Sequence, residues 1–417
     1  MVCVAGLAGA SPWRVGLRTI PLGLGGMLGA GVFAGIAPAA GTAGRWTLIA
    51  VPLAALTAWC AVVSTSHQSA SYRGAGAAYS CVRDKLGILP GRVAAGTGLF
   101  GHVAAMAAIA GAVAEYLPAP DPVTTAAVLL LVVLVSAAGL RISGLSGWLW
   151  LGLTLAVLTV VVTACLSIAP VPVSTGIEHG PLAITSSAGF FFFAFLGFER
   201  LTAPDTERDR HPRAAVRRGA LFGVAATAVV LLVVSFAVLH QLGAARLGLS
   251  PVPLLDALRA ADAATLTSGV GLGAALAMTP VLLGALESGR STGLAVISDG
   301  ELPASLGRRG GSGTPYLFDL ALAAAAVVLA LLVSPAVAMG AAACCLLVHY
   351  AFVNAAARVL LLDEWTWSTR TACLGMGLSV ILAMSMPVPA MLFTLGAVLV
   401  LPVCAGLADR AGAATRG

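Results

Sequence analysis

A glutamate ends the phenylalanine-rich stretch FFFFAFLGFE at residue 199, inside a run that otherwise suits a lipid bilayer. Ionisable groups in a bilayer are costly, and by default they indicate a path for protons or ions. A carboxylate that loses its water takes up a proton more readily. Glu199 is therefore the strongest candidate for proton coupling. The alternative is a hydrogen-bonded glutamate that only holds its helix to a neighbouring helix.

Glycines accompany this glutamate and also crowd the first apolar run of the chain. Gly197 lies two residues before Glu199, and GLGGMLGAGVFAG at residues 23–35 contains six glycines. A helix unwound at such a place frees backbone groups that cost several kcal/mol each unless something binds them. A substrate or an ion can be that partner. Close packing between helices through small residues is the alternative interpretation.

Both stretches belong to a chain with the composition of a membrane protein. It is 59% hydrophobic and only 10% charged, whereas soluble chains carry about a quarter charged residues. Apolar runs of about 20 residues, the length that crosses a bilayer, recur from end to end. The expected spans are residues 20–40, 46–66, 93–116, 123–140, 147–168, 185–203, 218–240, 265–287, 316–333, 336–357, 371–387 and 389–407.

The two interrupted spans are the first and the sixth, so a unit of five spans separates them. Because five is odd, a second copy of that unit must have the opposite orientation in the membrane. Paired interruptions in corresponding spans point to the binding site of an inverted-repeat transporter. The pair is therefore stronger support for a site than either interruption alone.

The arginines predict the orientation. The chain has 23 Lys and Arg, and with a cytoplasmic N-terminus only Arg45, Arg246 and Arg259 fall outside. The positive-inside rule therefore predicts a multi-pass protein of the cell membrane with both termini in the cytoplasm. The net charge of +6 then faces anionic lipid, and nucleic acid is not an expected partner.

Other reactive side chains give no sign of a cofactor or metal. The eight cysteines are scattered without CxxC spacing, and the histidines do not cluster with them. His102 and His349 lie inside spans, where a lone histidine is more often a hydrogen-bonded packing residue. Glu115 and Glu287 are expected at span ends, near the interface.

Five stretches in chain order resemble the amino acid permeases of the amino acid–polyamine–organocation superfamily. GMLGAGVF (26–33) and FFAFLGFE (192–199) are similar to that family's first-span and sixth-span motifs. RGAGAAYSCVRDKLGILPG (73–91), DTERDRHPRAAVRRG (205–219) and SDGELP (298–303) are similar to its loop motifs. The matches cover about three-quarters of the chain and are specific only as a set.

The resemblance implies an all-α polytopic membrane fold of about 12 transmembrane helices, a 5+5 inverted repeat of the leucine-transporter type with two peripheral helices. All 417 residues would form one transporter domain. Its parts would be a cytoplasmic segment (1–19), a first repeat (20–168), a second repeat (185–357) and the peripheral helices (371–407).

The resemblance also assigns substrate contacts by matching positions. These residues are Gly29, Ala30, Gly31, Phe193, Ala194 and Leu196. The first three would meet the α-carboxylate of an amino acid, and the last three would offer carbonyls to its α-amino group. Phe193 also matches an aromatic gate that closes over the substrate, with ordinary packing as the alternative. Helix N-termini favour anions and free carbonyls favour ammonium groups, so elementary electrostatics agrees.

The predicted function is secondary active transport of amino acids by alternating access, with neutral or aliphatic substrates weakly favoured. The coupling ion, a proton or sodium, stays open. A polyamine or organocation permease and an amino acid exchanger are alternatives with the same fold. A polytopic membrane enzyme is the alternative from another class, but its usual metal-phosphate, His/Glu or Ser/His motifs are missing from the sequence, so we expect no enzymatic activity.

Overall fold

The computed structural model describes residues 24–29, 31–72, 74–118, 122–139, 144–170, 180, 183–202, 213–311, 313–361 and 367–414. Regular structure in these ranges is helical throughout. The first helix, α1, comprises residues 24–29 and 31–34. The helices that follow are α2 Ile36–Ala43, α3 Thr47–Ser71, α4 Ala77–Leu86, α5 Ile88–Tyr116, α6 Pro122–Ala137, α7 Gly144–Ser167, α8 Ala183–Phe192, α9 Glu199–Thr202, α10 Arg213–Gly248, α11 Pro253–Ala260, α12 Thr267–Ser298, α13 Tyr316–Leu332, α14 Pro335–Leu360, α15 Trp367–Met384 and α16 Val388–Ala414.

Length and apolar composition identify the helices that can cross a bilayer. Among the described residues, 7 helical stretches qualify: Ile36–Ser71, Ile88–Tyr116, Ser146–Ser167, Val216–Gly248, Ala264–Ser298, Pro335–Leu360 and Val388–Gly406. Further apolar helices are shorter, among them Pro122–Ala137 and Tyr316–Leu332. A polytopic all-helical membrane protein is therefore confirmed. The count of twelve spans, the inverted repeat and the orientation stay predictions.

The interruption expected in the sixth span is present. The α-helical hydrogen-bond pattern ends at Phe192, a tighter 3₁₀ helix runs from Phe193 to Phe198, and α9 begins at Glu199. A mid-helix 3₁₀ stretch leaves the regular ladder and often marks a hinge. In the first span the residues on both sides of Ala30 are helical, and the described bend lies at Gly35. Ala30 itself and the segment 1–19 lie outside the described residues.

The helix of the eighth expected span is longer than its apolar run. The run ends at Glu287, whereas α12 continues to Ser298. A hydropathy pattern ends at the first charges, but the backbone keeps its helical hydrogen bonds wherever those charges find partners. Glu287 therefore lies inside a helix, and its carboxylate is bound by Arg200.

The longest buried surface belongs to α5, which packs against α12, α14, α16, α6 and α13. Its small residues, mostly alanine and glycine, let these neighbours approach closely, as is common between membrane helices. At one end of α5, Glu301 accepts hydrogen bonds from Arg83 of α4 (2.8 Å) and Arg92 (2.7 Å). The loop after α12 is thereby fastened to α4 and α5.

Candidate functional site

Helix α1 and the 3₁₀ segment cross backbone to backbone. A Cβ on Gly197 would overlap the carbonyl carbon of Gly26, and a Cβ on Gly31 would overlap the Cα of Ala194. Only glycine permits this approach, because any side chain at Gly31 or Gly197 would force α1 and the 3₁₀ segment apart. The structure thus brings together the two glycine-rich motifs that the sequence singled out.

The predicted substrate residues lie around this crossing. Gly29 faces α12, where a Cβ would overlap Val281 and lie 2.7 Å from the carbonyl oxygen of Ala277. Phe193 and Ala194 are buried, whereas Leu196 is partly exposed. Gly31 lies directly against Ala194, so in this conformation the two touch each other and leave no gap for a ligand between them. Ala30 lies outside the described residues.

Glu199 points away from the crossing towards α5 and α14. Its Oε2 lies 2.9 Å from Nε2 of His102, and the hydroxyl of Tyr350 donates to its Oε1. The side chains of Glu199 and His102 are only 16% and 6% exposed. The first turn after the 3₁₀ segment is thus held by polar contacts to two separate long helices.

The second nitrogen of His102 determines how many protons this cluster holds. Nδ1 lies 2.7 Å from the carbonyl oxygen of Gly98, which can only accept, so Nδ1 carries a hydrogen. Nε2 then faces a carboxylate oxygen at 2.9 Å, and that contact needs a hydrogen of its own. Either His102 is an imidazolium or Glu199 is a carboxylic acid. The pair therefore holds one proton more than a neutral imidazole beside a carboxylate.

Aromatic rings surround the proton-holding pair. Tyr350 packs against Phe192 and Phe198, with ring centroids 5.7 Å and 5.3 Å apart. His349 turns the other way, and its Nδ1 lies 2.8 Å from the carbonyl oxygen of Ala94. The phenylalanines flanking the 3₁₀ segment thus shield Tyr350 from water, which strengthens its hydrogen bond to Glu199.

Arg200, the next residue of α9, reaches α12 on the opposite side. Its Nη2 and Nε donate to Oε2 of Glu287 at 2.7 and 3.2 Å, and its Nη1 donates to the carbonyl of Pro280 at 3.2 Å. The methylene stem lies against two glycines: Cβ positions built on Gly284 and Gly26 are 3.0 and 3.7 Å from its Cδ. Adjacent charges on α9 therefore bind different helices.

Most of these partners cannot be found from the sequence. The sequence favours a packing role for His102 and an interfacial position for Glu287, and it gives no sign of Tyr350 or Arg200. A buried histidine on one span and a glutamate on another carry no spacing that relates them. The one usable signal was that each is an ionisable residue in an apolar run, which is itself a reason to look for a partner.

The described residues contain no group of three or more His, Cys, Asp and Glu side chains that could hold a metal ion. Around the crossing, the surfaces that face each other are backbone, glycine, alanine and valine. A ligand at such a surface would be recognised by the shape of the backbone and by the partial charges of its N–H and C=O groups.

Comparison with known proteins identifies relatives over nearly the whole chain. Uncharacterized transporters from Mycobacterium bovis and from two strains of Mycobacterium tuberculosis are each 32% identical over 383 residues, covering 90% of this chain and 86% of the relative. The chain belongs to this transporter family. No protein-family model matches the transporter.

Solved structures support the fold. The manganese transporter of Eremococcus coleocola is similar to this transporter in a mutant structure and in a complex with an aromatic bis-isothiourea substituted compound. In both, the TM-score is 0.57 with 14% identity, over 96% of this chain and 95% of the other. The resemblance to amino acid permeases finds no support in these comparisons and stays a prediction.

Proposed function

We propose that this transporter moves amino acids across the cell membrane by alternating access, with a proton as the coupling ion. The observation that carries the proposal is the backbone-to-backbone crossing of α1 and the 3₁₀ segment. Broken or tightened helices at mid-membrane offer unpaired backbone groups, and those groups suit a zwitterion that carries both an anion and an ammonium.

The substrate contacts of the proposal are the backbone groups of Gly29 to Gly31 on one side and the carbonyls of Phe193, Ala194 and Leu196 on the other. Because Gly31 and Ala194 touch in this conformation, the crossing must open slightly to admit the ligand. The neighbouring Val281 and Ala277 of α12 are apolar, which favours neutral or aliphatic side chains.

Manganese is the competing cargo, since the similar solved structures are manganese transporters. Their 14% identity speaks for the fold alone. Divalent manganese prefers carboxylate, carbonyl and water oxygens, and the described residues contain no group of three or more His, Cys, Asp and Glu side chains that could hold a metal ion. The donor set therefore favours an organic substrate. Polyamines and other organic cations remain alternatives, because carbonyls also suit ammonium groups.

The proton of the proposal is the one shared by Glu199 and His102. Tyr350 of α14 and Ser288 of α12 hydrogen-bond to Glu199, and His349 of α14 lies close enough to interact with it electrostatically. Because Glu199 begins α9, a change in its protonation alters how firmly α9 is held to α5. Proton binding is thereby linked to movement of the segment that contacts the substrate.

A binding screen tests the substrate. Purified protein is melted with each of the twenty standard amino acids, with putrescine as an amine lacking a carboxylate, and with Mn²⁺. A ligand present at 100 times its Kd stabilises by about 2.7 kcal/mol, which appears as a raised melting temperature. Stabilisation by at least one amino acid, followed by its uptake into proteoliposomes, is the expected result. Stabilisation by Mn²⁺ alone would overturn the amino acid proposal.

Phe193→Ala tests the gate that the family resemblance suggests. If Phe193 closes over the substrate, removing its ring should weaken substrate binding. It should then lower the melting temperature less than the loss of an ordinary packing residue would. Ordinary packing instead predicts a loss of about 3–5 kcal/mol with unchanged affinity. Comparing the melting temperature and the ligand affinity of the same preparation distinguishes the two.

A further inference from the structure

The contact between Arg200 and Glu287 lies beside the crossing, on the side where α1 begins and α12 ends. Along α12, Val281 faces Gly29, Gly284 accommodates the stem of Arg200, and Glu287 binds its guanidinium. This order places the ion pair between the crossing and one face of the membrane. Any ligand leaving the crossing along α12 towards that face has to pass Arg200.

Exposure of the two partners differs. The side chain of Arg200 is 9% exposed and that of Glu287 is 34% exposed. The carboxylate therefore lies on the outer side of the contact and the arginine on the inner side. The pair thus lies at the edge of the packed interior.

Arg200 also belongs to α9, which the structure describes from Glu199 to Thr202. Directly before it, the 3₁₀ segment interrupts the helix, so α9 has no continuous α-helical connection to α8. With three hydrogen bonds spanning Pro280 to Glu287, Arg200 fixes α9 to α12. Breaking them releases α9 from α12, while Glu199 still holds it to α5 and α14.

We propose that Arg200 and Glu287 form a gate on one face of the transporter, closed in this conformation. The proposal rests on transport by alternating access. Under the predicted orientation this face is the cytoplasmic one, and the gate controls release of the substrate into the cell. Arg200 acts by filling the space between α1 and α12, and Glu287 acts by holding it there.

Chemical labelling tests the gate without any substrate. A cysteine introduced by Val281→Cys lies behind the pair, next to Gly29. Its reaction with a membrane-impermeant maleimide, applied from the face where α12 ends, is followed by mass spectrometry of the peptide that carries residue 281. Glu287→Gln keeps the shape of the side chain but removes its charge. We expect labelling to accelerate about tenfold, the factor that corresponds to about 1.4 kcal/mol.

Matched variants make the result specific. Glu287→Asp keeps the charge and should label within about threefold of the parent, a difference below 1 kcal/mol. Arg200→Gln should accelerate labelling as Glu287→Gln does. Arg259→Gln removes an arginine that pairs with Asp256 on α11 and should leave the rate unchanged. Each variant is compared at a temperature where its melting curve shows folded protein.

Equal labelling of the parent and Glu287→Gln would overturn the gate, as would equal acceleration by Glu287→Asp. Because the assay contains no substrate, its outcome is independent of what the transporter carries. Accelerated labelling together with failed amino acid uptake would retain the gate and reject the proposed substrate.

Discussion

Two buried acid–base contacts in this transporter have similar chemistry and opposite surroundings. One joins Glu199 to His102 and Tyr350, between the interrupted sixth span and the long helices α5 and α14. The other joins Arg290 to Asp319 and Ser136, between the continuous helices α12, α13 and α6. The first follows a 3₁₀ break, whereas the second connects helices that have no 3₁₀ interruption in their described residues.

The two contacts also differ in whether they can lose a proton. Arg290 donates from Nε and Nη2 to the two oxygens of Asp319 at 2.7 and 2.6 Å, and arginine does not lose its proton in proteins. Histidine is the side chain whose unperturbed pKa lies nearest neutral pH, so a His–Glu pair can exchange a proton. A permanent ion pair therefore lies where the helices stay fixed, and a titratable pair lies where a helix is broken. The difference indicates a structural role for Arg290 and a functional one for Glu199.

Gly31→Val should have the largest effect, because the comparison requires the broken segment to cross α1 closely. The valine would overlap Ala194, so α1 and the 3₁₀ segment separate and uptake of the substrate falls to background. Gly25→Val is the matched control, since its Cβ meets nothing within 4 Å. Uptake into proteoliposomes, normalised to inserted protein, measures both. Normal uptake by Gly31→Val would remove the crossing from the mechanism.

Asp319→Asn should lower stability most among the charge variants. It leaves Arg290 without a carboxylate partner at a position that has no solvent exposure. Such a change typically costs about 3–5 kcal/mol of stability. Thermal melting in detergent measures the loss. The double variant with Arg290→Gln should recover part of it. An unchanged melting temperature for Asp319→Asn would contradict the structural role of the ion pair between Arg290 and Asp319.

Glu199→Gln should change the pH dependence of uptake and have little effect on stability. Glutamine keeps the shape and can still accept from Tyr350, but it cannot exchange a proton. Initial uptake should therefore lose its dependence on pH between about 5 and 7, the range around the unperturbed pKa of histidine. Substrate binding should persist, because it uses backbone groups. If the pH dependence and the rate of uptake are unchanged, Glu199 has only the structural role of hydrogen-bonding α9 to its neighbouring helices.

Arg259→Gln should have the smallest effect. Its ion pair with Asp256 lies within one short helix, and the two side chains are 55% and 32% exposed. Exposed pairs of this kind contribute about 0.2–1 kcal/mol. Melting temperature and uptake should both stay close to the parent values. A large loss of either would show that α11 has a role beyond this surface contact.

The sequence by itself determined that the chain is a polytopic helical membrane protein, because apolar runs of bilayer length cannot be accommodated otherwise. It also located the interruption of the sixth span near Gly197 and marked Glu199 as unusual. These features depend on local composition, which is readable without contacts. Helix ends were less accurate, as at Ser298, since a helix continues past its apolar part wherever its charges are paired.

The partners of those residues were decided by the tertiary structure alone. His102 lies 97 positions before Glu199, and Tyr350 lies 151 positions after it. No local pattern relates residues at such separations, because their meeting depends on how five or more helices pack. The same holds for Arg200 and Glu287, and for the overlap between Gly31 and Ala194. Sequence identified the ionisable groups and glycines that are costly in a membrane, and packing determined what compensates each of them.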